Sequence, residues 1–326
     1  MPLLTPSNVH LDQPLSNLTL AYVQSQDTFI ADKVFPTVGV ARQSDKFYIY
    51  DRANMNRSGD VKKLAPRTEV NRIGMAISND AYYADVYGLG MDFDEQTIAN
   101  EDEVLEIRSA GAETLMMRLL IDREERFADT FFKASVWTTD VTPANLWSDY
   151  TNSTPLTDVT SGLRSAQLKS GGLKPNTMVV GKEVRDILIN HPDVLARLNG
   201  GSTINNPALV TDGKLAEIFG VENFFVMEAV KNSAVEGLAE SNAFIGGKNA
   251  LLCYTPRNSG LMTPAAGMTF AWNSVPGVSN LGVTVESYSD DALKRQQVAE
   301  HIQVKMAYDM KVVGPDLGYF FEDVVA

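Results

Sequence analysis

The sequence predicts an α+β fold, and three features carry that reading. Residues 101–135 form a long proline-free stretch with helical periodicity. After residue 176, short helical segments alternate with apolar strands. The carboxy-terminal part is strand-rich, with Val298–Met310 and Tyr319–Val325 split by Gly314-Pro315.

Composition sets outer bounds. With 326 residues, 44% of them apolar and 21% charged, the chain can bury a real core as one large or two modest domains. Its formal charge is −13, from 28 basic and 41 acidic residues. A protein that grips nucleic acid gains affinity by neutralising phosphates, so a chain this acidic is not built for that task. The start, MPLLTPSNVH, has neither the basic nor the apolar region of a signal peptide. No apolar run approaches the roughly 18 residues of a membrane span. Cys253 is alone, within the apolar run LLCYTP, and reads as a buried small hydrophobe. The expectation is a soluble chain made in a reducing cytoplasm, with no membrane partner.

Residues 1–45 read as an extended arm punctuated by Pro2, Pro6, Pro14 and Pro36. A short helix fits Leu18–Gln24, and FIADKVFPTVGV reads as a strand-like piece stopped by proline. Leu18, Leu20, Tyr22, Phe29, Ile30, Val34 and Phe35 are too many apolar groups for a tail that touches nothing. Residues 46–91 begin with FYIY and end with the alternating AYYADVYGLG. Between them lies a stretch rich in bases and turn formers, so this is a long two-stranded excursion. An isolated hairpin is marginal in water and needs a surface to lie on.

The helix over 101–135 starts at an Asn100 cap, with Glu101, Asp102 and Glu103 suited to the positive end of the helix dipole. At 1.5 Å per residue it would be about 50 Å long. Its apolar stripe runs through Val104/Leu105, Ile107, Ala112, Leu115/Met116 and Leu119. It then moves to Leu120/Ile121, Phe127/Ala128 and Phe131/Phe132. A change of face within one helix predicts two successive packing partners. Further helices are expected at Asp158–Lys169, Glu183–Asn190, Pro192–Asn199 and Asp212–Phe219, the last stopped by Gly220. Strands are expected at Thr177–Val180 and in NFFVME, NALLCY, MTFAW and GVTVESY.

No catalytic, metal or cofactor site is predicted. His10, His191 and His301 lack metal-ligand spacing, and nothing local pairs Cys253 with a base. Gly181-Lys182 and Gly247-Lys248 lack the rest of a phosphate loop and read as turns.

Charge is distributed unevenly. From Arg42 to Arg72 eight bases face four acids. From Asp92 to Glu106 there are seven acids and no base. The acids Asp92, Asp94, Glu95, Glu101, Asp102 and Glu103 are open to three readings: a solvated helix start, a contact for a neighbour's bases, or a cation site without calcium-loop spacing. The basic excursion has its aromatics (Phe47, Tyr48, Tyr50) in the flanking strand rather than among the bases, which argues against base stacking. Opposite charge on adjacent segments, one with little to bury, suggests an arm that reaches onto another copy of the chain.

In order and spacing, the chain resembles the major capsid proteins of tailed bacteriophages, with the Hong Kong 97-type shell fold. The resemblance rests on FIADKVFPTVGV followed by KFYIYDR, and on AYYADVYGLGMDFDEQTIANED leading into the long helix. It rests also on LKPNTMVVGKEVRDILINHPDVLARL, LAEIFGVENFFVMEAV and AYDMKVVGPDLGYFFEDVV. It implies an N-terminal arm at 1–45, an extended loop at 46–91, and a peripheral domain at 92–175 with its spine helix at 101–135. An axial domain at 176–290 and strands returning to the peripheral domain at 291–326 complete the implied layout.

The implied function is structural rather than enzymatic. Many copies form hexamers and pentamers of an icosahedral head around double-stranded DNA, which the lining touches only weakly. The implied partners are a portal protein and a separate scaffolding protein (the arm begins near Met1); the sequence leaves open whether a decoration protein binds outside. Lys62 and Lys63 lie where some members crosslink, but no sequence feature argues for a crosslink here. The expected inter-subunit contacts join Arg52, Arg57, Lys62, Lys63 and Arg67 to the six acids above, with Phe29 and Phe35 of the arm buried on the neighbour. Two alternatives are an encapsulin-type nanocompartment and, in a different class, an enzyme built on an α/β core at 176–290.

Overall fold

The computed structural model describes residues 28–50, 56, 58–74, 77–99, 107–198, 210–235, 237–258, 260, 263–273, 283–288 and 298–326. The suggested helix over 18–24 lies outside them. In chain order the structure opens with one helical turn, α1 (Ala31–Val34), and the strand β1 (Thr37–Val40). The hairpin strands β2 (Ser44–Tyr50) and β3 (Ile77–Tyr83) follow, then β4 (Asp85–Asp94), a short α2 (Glu95–Ala99) and the long α3 (Ile107–Phe131). Next come β5 (Asp140–Val141), α4 (Pro155–Lys169), β6 (Thr177–Gly181), α5 (Lys182–Asn190), α6 (Pro192–Leu198) and α7 (Asp212–Phe219). Strands dominate the remainder: β7 (Asn223–Met227), β8 (Val230–Asn232), β9 (Asn242–Phe244), β10 (Ala250–Cys253), β11 (Gly267–Trp272), β12 (Val283–Tyr288), β13 (Val298–Val312) and β14 (Gly318–Phe321).

Two five-stranded sheets organise the body. In the first, β13 is the hub and pairs antiparallel with β4, β11 and β12, while β1 adds in parallel to β11. The second runs β5-β14-β10-β6-β7. Its strands β6 and β10 are buried along their whole length, as expected of a sheet covered on both faces. On one face, α4 to α7 close a core around Trp147, Val159, Leu188 and Leu215.

Helix α3 joins the sheets, and its change of face is the reason. Leu115, Leu119 and Leu120 pack with Phe93 of β4 and Ile302, Val304 and Met306 of β13. Two to three turns later, Phe127, Phe131 and Phe132 pack with Trp137 and with Leu251 and Phe320 of the second sheet. Each buried side chain of this size contributes about 1.5–3 kcal/mol. Both packing partners anticipated from the stripe belong to the same chain.

Local signals set several ends. Gly220 follows α7 in the left-handed conformation (φ 69°), and its N–H reaches back to Ala216 and Glu217. Pro155 occupies the first turn of α4, so that helix starts three residues before the expected Asp158. The expected strand-like FIADKVF is instead helical over Ala31–Val34. Its amino-terminal N–H groups are capped from α3, 93 and 94 residues away, which no local pattern could signal.

The expected domain ranges cross the sheets. Strand β4 falls mostly within the range 46–91 yet pairs with β13 along Asp85–Asp94. Strands β11 and β12 fall in 176–290 and pair with β13, whereas β14, from the range 291–326, sits between β5 and β10. Ladder partners are chosen over long sequence distances, so contiguous ranges are poor guides to them.

Candidate assembly interface

The hairpin is well anchored at its base. Phe47 and Tyr82 pack on Phe270 of β11, with ring centroids 5.3 Å and 4.5 Å apart. The Tyr83 N–H donates to the Asp309 carboxylate at 2.9 Å, and the Gln43 amide donates to the Ala84 carbonyl at 3.1 Å. The register runs from Ser44 opposite Tyr83 to Tyr50 opposite Ile77. Beyond it, every residue from 58 to 74 is exposed. Val61 is 86% exposed and Ile73 72%, so apolar surface here is left uncovered by the described residues. Lys62, Lys63 and Arg67 lie on this loop, exposed like the rest. Asn56 ties the loop to the body, its amide donating to the Gly171 carbonyl at 3.0 Å. Arg52 and Arg57 lie outside the described residues.

The acids lie elsewhere, at the end of β4 and the start of α2. Asp92 pairs with the His301 imidazole on the facing strand, Asp94 is half-buried, and Glu95 is exposed. Glu101, Asp102 and Glu103 lie outside the described residues. Among the described residues, no ion pair joins Lys62, Lys63 or Arg67 to Asp92 or Glu95; the loop's own pair is Arg72 with Glu69 at 3.9 Å. Also among the described residues, no three His, Cys, Asp or Glu side chains are placed to share a metal ion. None of their helices is long and apolar enough to cross a membrane.

Phe29 and Phe35 correct the sequence reading. Both are buried in their own chain, at 2% and 0% exposure. Phe29 lies with Phe93 and Leu115. Phe35 stands edge-on to Phe127 at 5.1 Å and also meets Phe131 and Trp137. The end of the arm is therefore part of the subunit's own core and not a contact with a neighbour, because α3 turns an apolar face toward it.

The groups weighed for chemistry are structural. Burial pushes the Cys253 thiol up to about 12, far from a reactive thiolate. Gly181 and Gly247 pack back to back, so closely that a side chain at 181 would strike the Gly247 carbonyl; Lys182 pairs with Glu228 at 2.8 Å. His191 caps the end of α5 and is buried. Its Nδ1 accepts the Asp193 N–H at 3.2 Å, which leaves Nε2 to donate to the Ser153 hydroxyl at 2.9 Å. In that tautomer it cannot act as a base toward Ser153.

Burial also holds His191 below its usual 6.5, with Asp193 opposing the shift more weakly. The unfolded chain then takes up this proton first as pH falls. The resulting stability is present above pH 6.5 and is lost on acidification below it. Compared at each pH with H191Q, the wild-type denaturation midpoint should therefore fall progressively as pH drops below 6.5, the difference between the two profiles isolating this residue.

The sequence reading passed over Glu124. It follows Leu120 and Ile121 and precedes Phe127 and Ala128 on the apolar stripe of α3, and a lone carboxylate at that spacing was the available signal. Its side chain is fully buried and accepts the N–H groups of Ile30 and Ala31 at 3.0–3.2 Å.

Comparison with known proteins gives a consistent picture. No family model matches the chain. The chain is 25% identical over 321 residues to the major capsid protein of Pseudomonas phage JBD67, covering 97% of each. It is 23% identical over 254 residues to the major capsid protein of Burkholderia phage BcepMu, covering 77% of this chain and 78% of that one. Among solved structures, a phage-related protein from Bordetella bronchiseptica superposes with a TM-score of 0.66 at 19% identity, covering 96% and 97% of the two chains. The SrpI encapsulin of Synechococcus elongatus gives 0.56 at 10% identity, covering 97% and 98%.

Proposed function

We propose that this chain, a homologue of phage major capsid proteins with the Hong Kong 97-type capsid fold, is the coat subunit of a tailed-phage head. Copies assemble into hexamers and pentamers of an icosahedral shell that encloses double-stranded DNA. The observation that carries this reading is the 58–74 loop, which holds out bare apolar groups among bases along its whole length. Such a loop is completed by a neighbour. The bases of the 46–91 excursion, Arg52, Arg57, Lys62, Lys63 and Arg67, dock on acids of the next subunit near α2 and α3: Asp92, Asp94, Glu95, Glu101, Asp102 and Glu103.

Each exposed pair contributes only about 0–1 kcal/mol. Repetition over every subunit makes the shell stable while letting misplaced copies leave. The protein is synthesised in the bacterial host cytoplasm and acts without catalysis. It works with portal and scaffolding proteins. The charge of −13 suits a lining that contacts packaged DNA weakly and non-specifically.

Reversing Arg57, Lys62 and Lys63 to Glu should prevent particle formation, or shift its salt dependence, in negative-stain microscopy across a salt series. Unchanged particles with unchanged salt sensitivity would refute the pairing. The full-length likeness to an encapsulin favours a second reading, a protein-filled compartment. The contents of purified particles, DNA or a cargo protein, separate the two.

A further inference from the structure

A buried carboxyl group of α3 holds the start of α1, beside the Arg123–Asp32 ion pair and the packing of Phe29 and Phe35 on the helix. Glu124 reaches from the apolar face of the helix to the start of α1 and accepts two bonds from Ile30 N–H and one from Ala31 N–H. The same turn delivers Phe35 to its aromatic pocket. Around Glu124 the charged groups are few. On its own helix is Arg123, whose guanidinium is turned to Asp32 of α1 at 3.5 Å, and whose Nε is buried with no partner. From β13, the buried Tyr308 phenol packs against Tyr87, near Asp122 and Arg126. Among the described ion pairs none includes Glu124, so an ionised carboxylate here would be buried with hydrogen bonds but without a bridging cation.

We propose that Glu124 is a proton-operated latch: in its neutral form it holds α1 and the arm against α3, and loss of its proton loosens them. The electrostatics agree with the geometry. Burial, with a smaller contribution from Asp32, raises this carboxyl from 4.5 to about 7, against the opposing effect of the two backbone N–H groups and Arg123. When the arm leaves, water reaches the carboxyl and its ordinary acidity returns. The docked state therefore binds the proton more tightly. Arm attachment is firmest in acid, weakens as pH rises from 4.5 toward 7, and changes no further above that. The inference does not depend on what the assembled particle contains.

Hydrogen exchange of the full-length chain tests it, each rate being divided by that of an unstructured peptide at the same pH. Protection of residues 30–35 should fall about tenfold between pH 6 and 8.5, with most of the loss below the upper end. Amides of β10 should hold constant. E124Q keeps an acceptor without a charge and should make the 30–35 profile independent of pH. A flat wild-type profile overturns the latch. So does a decline that continues undiminished above pH 8, whether or not E124Q folds. Retention of the wild-type slope in a folded E124Q overturns it too.

Discussion

Replacing residues 58–74 with a short Gly-Ser link abolishes particle formation and leaves the subunit folded. The whole segment is exposed, and the hairpin below it is anchored independently by Phe47 and Tyr82 on Phe270 and by the Tyr83–Asp309 hydrogen bond. Shortening a flexible loop changes its closure entropy by only about 0.6 kcal/mol per halving of length. The denaturant midpoint should therefore match the wild type, while sedimentation and negative-stain microscopy show subunits or small oligomers only. Particles of normal size from this variant would mean that the loop is not an assembly element, and the reading of its bare Val61 and Ile73 would fall with it.

Phe35→Ala destabilises the subunit by about 3–5 kcal/mol, as for other fully buried aromatic truncations. The ring is wholly enclosed by Phe127, Phe131 and Trp137, and its removal leaves a cavity where α3, the arm and the second sheet meet. Chemical denaturation would show the loss, and exchange at residues 30–35 would rise with it. A change below about 1 kcal/mol would return Phe35 to a role at the subunit surface, as the arm pattern alone had suggested.

The sequence alone determined most of the elements of this protein. Period located α3, which ends at Phe131 rather than at the expected 135, and period with the Gly220 stop located α7; the buried strands followed from their apolar runs, because all of these depend on neighbours within a few residues. The expected Asn100 cap lies outside the described residues. The change of stripe at Leu120 foretold two packing partners, and the uneven charge singled out the loop carrying Lys62, Lys63 and Arg67.

Tertiary structure alone decided which strands pair: β13 draws together β4, β11 and β12 from parts of the chain up to about two hundred residues away. It decided that Phe29 and Phe35 belong to their own subunit. It also decided that Ala31–Val34 is helical, since the cap comes from Glu124. The physical reason is common to all three. A side chain's period records that it will be buried, but the surface that buries it, or the carboxylate that caps it, is supplied by residues the local pattern does not contain.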